Sequence, residues 1–260
     1  MKIKLRVCLV VAGLLSIALL LGACQKAPAT PPVVLFDEAH GQRFVVGKDG
    51  PLDLSEMGKL FTDAGFVIRS QKEKFSSEQL QGVDVVIVSG PFQTYTADEL
   101  QALETFVEQG GKLSIMLHVG PLMTELLDRF HVFVSNGAVN ETEHLLDERA
   151  TNFRLTDLVA HPLTNGLPGI DIYGGWALLN KGDDLQILAR TGPHAWIDLN
   201  RDQMLTKGDA SQAFGMVVCG PRGKGQVVVF GDDAIFQNRF LAGNNLQLAK
   251  NLVLWLRPAS

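Results

Sequence analysis

The chain has 260 residues, a hydrophobic fraction of 46% and a formal net charge of −5. That length is enough for one large domain with a sizeable core. The acidic balance, without a basic patch, excludes a general nucleic-acid binder.

The N-terminus has three parts. Lys2, Lys4 and Arg6 form a basic start, and Val7–Leu21 is an apolar run too short for a membrane span and right for a signal sequence. The run closes on Leu21-Gly22-Ala23-Cys24. This block resembles the lipobox of bacterial lipoproteins, which implies that residues 1–23 are a signal peptide and that Cys24 carries the lipid. The Ala- and Pro-rich stretch through residue 32 reads as a tether, leaving 33–257 as the domain. Gln25 is not the aspartate that retains such proteins in the inner membrane. The resemblance therefore implies the outer membrane, facing the periplasm, in a Gram-negative cell. With Cys8 removed and Cys24 acylated, Cys219 is left alone and no intramolecular disulfide forms.

From residue 33 the pattern alternates strand and helix. Val33–Phe36 is a short apolar run followed by Asp37-Glu38-Ala39-His40. Asp53 with Glu56 reads as a helix start, Gly65 ends that helix, and Phe66–Arg69 is a second strand. Residues 76–81 read as a short helix. Val83–Val88 is continuously apolar, as a strand covered on both faces requires. Thr96 and Glu99 form a capping box for a helix ending at Gly110-Gly111, and Leu113–Leu117 is the next strand. Leu122–Phe130 reads as helix and His131–Val134 as strand. Further strands fall at Leu185–Ala189, Ala213–Cys219 and Gln226–Phe230, and Asn244 starts a final helix. Strands joined by helices imply βαβ units around a mainly parallel sheet, with a mixed edge from residues 185–230.

The blocks LFDEAHGQRF, VVIVSGP, FVEQGGKLSIML, HPLTNGL, GKGQVVVFGDDAIF and NLQLAKNLVLWL occur in that order. Together they resemble the class I glutamine-amidotransferase-like superfamily, in the branch grouped with trehalose-utilisation-like and intraflagellar-transport domains. The resemblance covers residues 33–256 and implies a flavodoxin-like three-layer α/β/α sandwich. True amidotransferases of this superfamily carry a nucleophilic Cys at a strand-to-helix elbow. The matching elbow here reads His118-Val119-Gly120-Pro121, with neither Cys nor Ser. Cys219 falls on a strand and not on an elbow, so no catalytic residue is assigned.

In open α/β sheets, ligands bind beyond the carboxyl ends of the strands. The polar residues expected there are Asp37, Glu38 and His40 after the first strand, Ser89, His118, and Asp232, Asp233 and Asn238 after the last. Each has a structural alternative, because Asp and Asn at strand ends also cap loops. HPLTNGL reads as a turn, Tyr173 and Trp176 as core with a capacity to stack on sugar, and His144 with Glu141 and Glu143 as solvated surface. Two functions follow. The preferred one is a non-catalytic binding or scaffold lipoprotein of the cell envelope, tethered to the bilayer through Cys24, with a protein or carbohydrate partner, no nucleic acid and no cofactor. The other is a metal-dependent hydrolase or isomerase acting on a carbohydrate through Asp37, His40 and Asp232, although the residues fix no metal.

Overall fold

The computed structural model describes residues 30–182 and 184–258. Residues 1–23, expected to be a signal peptide, lie outside the described residues, as do Cys24, Gln25 and most of the expected tether. Among the described residues, no helix is long and apolar enough to cross a membrane.

Strands β1 (Val33–Asp37), β2 (Val67–Gln71), β3 (Val85–Ser89), β4 (Lys112–Met116) and β14 (Gly225–Phe230) run parallel in the order β2-β1-β3-β4-β14. Beyond β14 the sheet turns antiparallel. β13 (Gly215–Arg222) pairs with β14 and with β10 (Gln186–Arg190). β9 (Trp176–Asn180), β5 (Val132–Asn140), β11 (Trp196–Ile197) and β12 (Ala210–Ser211) complete that side. The short β7 (Asp157–Leu158) pairs with β10, and β6 (Asn152–Leu155) with β8 (Ile170–Tyr173) makes a separate ribbon.

The apolar runs behave as double-sided strands. Alternate residues of β1, β3 and β4 (Val34, Phe36, Val85, Ile87 and Met116) enter one core with Met57 and Phe61 of α1 (Ser55–Asp63) and Leu248 and Leu252 of α4 (Gly243–Leu256). The intervening Val33, Leu35, Val86, Val88, Leu113 and Ile115 enter a second core. It is closed by Leu103 and Phe106 of α2 (Ala97–Glu108) and Leu126 and Leu127 of α3 (Thr124–Arg129). Each fully buried large side chain stabilises the fold by about 1.5–3 kcal/mol through area removed from water.

Local signals held where they were complete and failed where the chain supplied a distant partner. The Thr96 box forms in full: Thr96 Oγ1 accepts from Glu99 N, and Glu99 answers from its side chain. Asp53 does not cap α1. Its carboxylate accepts from Val45 N at 3.0 Å and Gly50 N at 3.2 Å, while Asn238 Oδ1 accepts from Glu56 N at 3.0 Å. Residues 77–82 form turns and no helix, and α4 starts at Gly243, so Asn244 lies inside it. Glu141 is buried and not solvated; it accepts from Gly192 N at 2.7 Å.

Candidate functional site

The C-terminal ends of β1, β3, β4 and β14 bring the expected polar residues to one rim, as the sheet topology requires. There they divide into two assemblies built around different histidines.

The first is closed. His40 is 3% exposed and its two ring nitrogens face two carboxylates. Nδ1 lies 2.9 Å from both oxygens of Asp37, and Nε2 lies 2.9 Å from Glu99 Oε1. An imidazole that donates on both sides is the cation. Burial works against that charge, but the Asp37 hydrogen bond and the charges of Asp37 and Glu99 outweigh it, and the His40 pKa is raised. Asp37 also accepts from Gln42 Nε2 at 2.6 Å, Tyr95 Oη at 2.5 Å and Ala39 N at 3.1 Å. Burial, then Asp37, raises the Tyr95 hydroxyl well above its ordinary value. Glu99 accepts further from Phe75 N and from Thr96 N and Oγ1. Burial opposes its charge, but the Thr96 donors and His40 hold its pKa below the usual value. The His40 ring stacks on Tyr95 at 3.8 Å between centroids, and its carbonyl accepts from Phe92 N and Gln93 N. Asp37 and His40 are therefore consumed in cross-linking three loops and are not offered to a ligand.

The second assembly is half open. His118 is the elbow residue after β4. Its Nδ1 lies 3.0 Å from Asp233 Oδ1, and its side chain is 37% exposed against 2% for Asp233. Gly90 makes this approach feasible: its φ is +55°, and a Cβ there would collide with Asp233 Oδ2. The Asp233 hydrogen bond raises the His118 pKa against the effect of burial. Burial pushes the Asp233 carboxyl up, with His118 pulling against it. Asp232 lies behind, accepting from Tyr173 N at 2.6 Å and Ala234 N at 2.9 Å. Burial and its neighbour Asp233 push its carboxyl up to about 7. Phe92 and Phe44 lie 5.0 and 5.4 Å from the His118 ring, and the Arg43 guanidinium sits 4.5 Å over Phe92. Trp176 Nε1 donates to the His118 carbonyl at 3.0 Å. The result is a carboxylate-oriented imidazole in an aromatic collar.

The remaining expected residues separate from these two. Ser89 is buried at the end of β3, and its Oγ has no partner among the described residues. Glu38 is turned toward β2, where it accepts from Ser70 Oγ at 3.0 Å. Asn238 caps α1 and donates to the Gly50 carbonyl, so it is a structural cap. His161 of HPLTNGL caps its own 3-10 turn, accepting from Leu163 N at 3.2 Å. Tyr173 stacks on Phe240 at 4.1 Å. Cys219 is buried on β13, with its thiol pushed up to about 12 by burial, which leaves it inert as a nucleophile. Among the described residues, the rim groups do not converge as a set of three metal ligands. The set that does is Asp198, Asp202 and Asp209, in the loop between β11 and β12. Sequence reasoning missed that loop, and it missed Glu99, Tyr95, Arg43, Phe44 and Phe92 as partners of the two histidines. The capping box was the one available signal for Glu99, because it fixes that side chain at the start of α2.

The sheet order defines a mixed α/β domain whose fold is similar to that of ThuA-like proteins. The N-terminal domain of mmIFT52 superposes with a TM-score of 0.69 at 19% identity, over 86% of this chain and 96% of that one. A ThuA-like protein from Bacteroides uniformis gives 0.51 at 16% identity, over 90% and 95%. These likenesses are of fold. The chain belongs to the DUF4350 family, a domain of unknown function, which matches residues 54–253. The intraflagellar transport protein 52 homolog of Mus musculus is 33% identical over 78 residues, or 28% of this chain. The matched stretch spans 18% of the length of that relative.

Proposed function

We propose that the protein is a lipid-anchored, non-catalytic binding domain of the bacterial cell envelope, built as a flavodoxin-like three-layer sandwich. It is held to the bilayer through Cys24, on the outer membrane facing the periplasm in a Gram-negative cell. One observation carries the reading: the elbow after β4 presents His118, tied to Asp233 and ringed by Phe44, Phe92 and Arg43. An elbow built for acyl transfer presents a Cys or Ser whose base sits beside it. Here the base-like imidazole occupies the elbow itself, and the buried thiol of Cys219 hydrogen-bonds at 3.8 Å to a different histidine, His161. Half-buried aromatic side chains and an exposed arginine around a fixed imidazole are the composition of a recognition surface. The partner is an envelope protein or a carbohydrate.

A carbohydrate hydrolase or isomerase using Asp37, His40 and Asp232 has less support. Asp37 and His40 are saturated by one another and by Glu99, Gln42 and Tyr95. Both Asp232 oxygens accept backbone N–H groups. The test has two arms. Cell fractionation should place the full chain in the membrane and Cys24→Ala in the soluble fraction. Turnover assays on amide, ester and glycoside substrates should show no rate that His118→Ala removes. Turnover in the wild type that this variant abolishes would overturn the reading.

A further inference from the structure

Arg43 carries an exposed guanidinium that meets no carboxylate: it enters none of the ion pairs among the described residues. Its Cζ sits 4.5 Å over the Phe92 ring, and that ring lies 5.0 Å from the imidazole of His118. One aromatic ring therefore neighbours two basic groups. A guanidinium stacked on a ring keeps its N–H edge free for a planar acceptor. The Asp233 hydrogen bond raises the His118 pKa, while burial and the Arg43 charge work against it. The fold thus brings two like charges together and supplies a carboxylate to only one of them.

The His118 ring is held with one nitrogen outward. Nδ1 faces Asp233 Oδ1 at 3.0 Å, and with Nδ1 donating there Nε2 carries a hydrogen only in the cation. The acids stand behind, since Asp232 and Asp233 are both buried. Ser89 adds a second, independent feature. It is 4% exposed, and its Oγ has no partner among the described residues. Val88 and Leu117 enter the second core, so the next residues, Ser89 and His118, leave the sheet on the opposite face. Ser89 is registered against Met116, two residues before His118 on the neighbouring strand. A buried hydroxyl without a partner is costly, and this one lies on the face and at the level of the presented imidazole.

We propose that the His118 collar recognises an anionic group, a carboxylate or a phosphate, received between the Arg43 guanidinium and the Nε2–H of His118. The guanidinium fork matches either group through two parallel N–H donors. Phe92, together with Phe44 at 5.4 Å from His118, flanks the apolar body that bears the acid. The inference rests on the binding-domain reading and narrows its partner to one that carries an acidic group.

The test is titration of the full chain, in detergent, with benzoate and with phenyl phosphate, read by calorimetry and by the NMR signals of the His118 ring. A Kd on the order of 1 mM is expected for ligands of this size. The tighter of the two anions names the group. Benzamide keeps the shape of benzoate without its charge and should bind at least about tenfold more weakly, the scale of one charge-assisted hydrogen bond. Arg43→Gln and His118→Gln should each weaken the anions by about tenfold, and Ser89→Ala by about threefold. Arg43→Lys, which retains the charge and loses the fork, should fall between the wild type and Arg43→Gln. Binding should weaken as pH rises through the raised folded pKa of His118, the groups acting on that proton being Asp233, Asp232 and Arg43. Equal binding of benzoate and benzamide would overturn the proposal. So would an anion affinity that neither Arg43→Gln nor His118→Gln changes, or no response to either anion at about 50 mM, far above the expected constant. The two readings fail separately. Turnover that His118→Ala abolishes removes the non-catalytic reading even where anions bind, and anions that do not bind remove this proposal even where no turnover is found.

Discussion

His40 and His118 sit on the same rim of the sheet, and each meets an aspartate through Nδ1, at 2.9 and 3.0 Å. What separates them is the other side of the ring. His40 Nε2 meets Glu99, Tyr95 covers its face, and the side chain is sealed from water. His118 Nε2 has no partner among the described residues, and its ring stands partly exposed between Phe44 and Phe92. The same residue pair thus makes a cross-link in one place and a presented, oriented imidazole in the other. A second carboxylate and a covering tyrosine are enough to convert one into the other. An Asp–His pair therefore says little about function until the second nitrogen has been followed.

The comparison breaks most easily at His40. Removing one member of a buried ion network leaves the others charged and unpaired. His40→Ala should therefore cost about 3–5 kcal/mol in urea unfolding. His118→Ala, at the open assembly, should stay within about 1 kcal/mol. Equal losses at the two positions would erase the distinction. Tyr95→Phe deletes one donor to Asp37 and should cost about 1–3 kcal/mol. Thr96→Ala removes the cap of α2 and loosens Glu99, for about 1 kcal/mol. The cost should shrink when His40 has already been replaced, because the two act on the same carboxylate.

Protonation sharpens the contrast further. The folded-state pKa of His118 is raised, so its contribution to stability is complete below about pH 6.5, the unfolded value, and is lost as pH rises through the folded value. Proton NMR of the ring should show this upward shift, and Asp233→Asn should reverse it. Asp232 carries the same sign. With its carboxyl pushed from 3.8 up to about 7, the stabilising neutral form is lost as pH rises across that interval. Asp232→Asn should flatten the fall in stability over this window. A fall that persists unchanged in the variant would place its origin elsewhere.

The sequence made the parallel half of the sheet readable because those strands are buried on both faces. Val33–Phe36, Val83–Val88, Leu113–Leu117 and Gln226–Phe230 all fall on β1, β3, β4 and β14 within one or two residues. The α2 start was equally readable, since its cap is complete within four residues. What stayed hidden depended on contacts distant in sequence. Asn238 caps α1 from the far end of the chain, and Glu99 reaches His40 across 59 positions. The rim was located correctly by topology, yet topology does not tell which polar residues are saturated. Asp37 and His40 looked like the richest ligand set and are the most completely bonded. On the antiparallel side, His131–Val134, Leu185–Ala189 and Ala213–Cys219 overlap β5, β10 and β13, whereas strands as short as β11 and β12 gave no periodic signal.

We propose that the His118 collar is a recognition surface and not a reaction centre. Its most direct test is a photo-crosslinking residue placed at Phe92 in the full chain, expressed in cells. One discrete crosslinked envelope species is expected, which disappears in a His118→Ala background and persists in a Tyr95→Phe background. A crosslink indifferent to His118, or none at Phe92 alongside one at a distant surface such as Phe133, would contradict it.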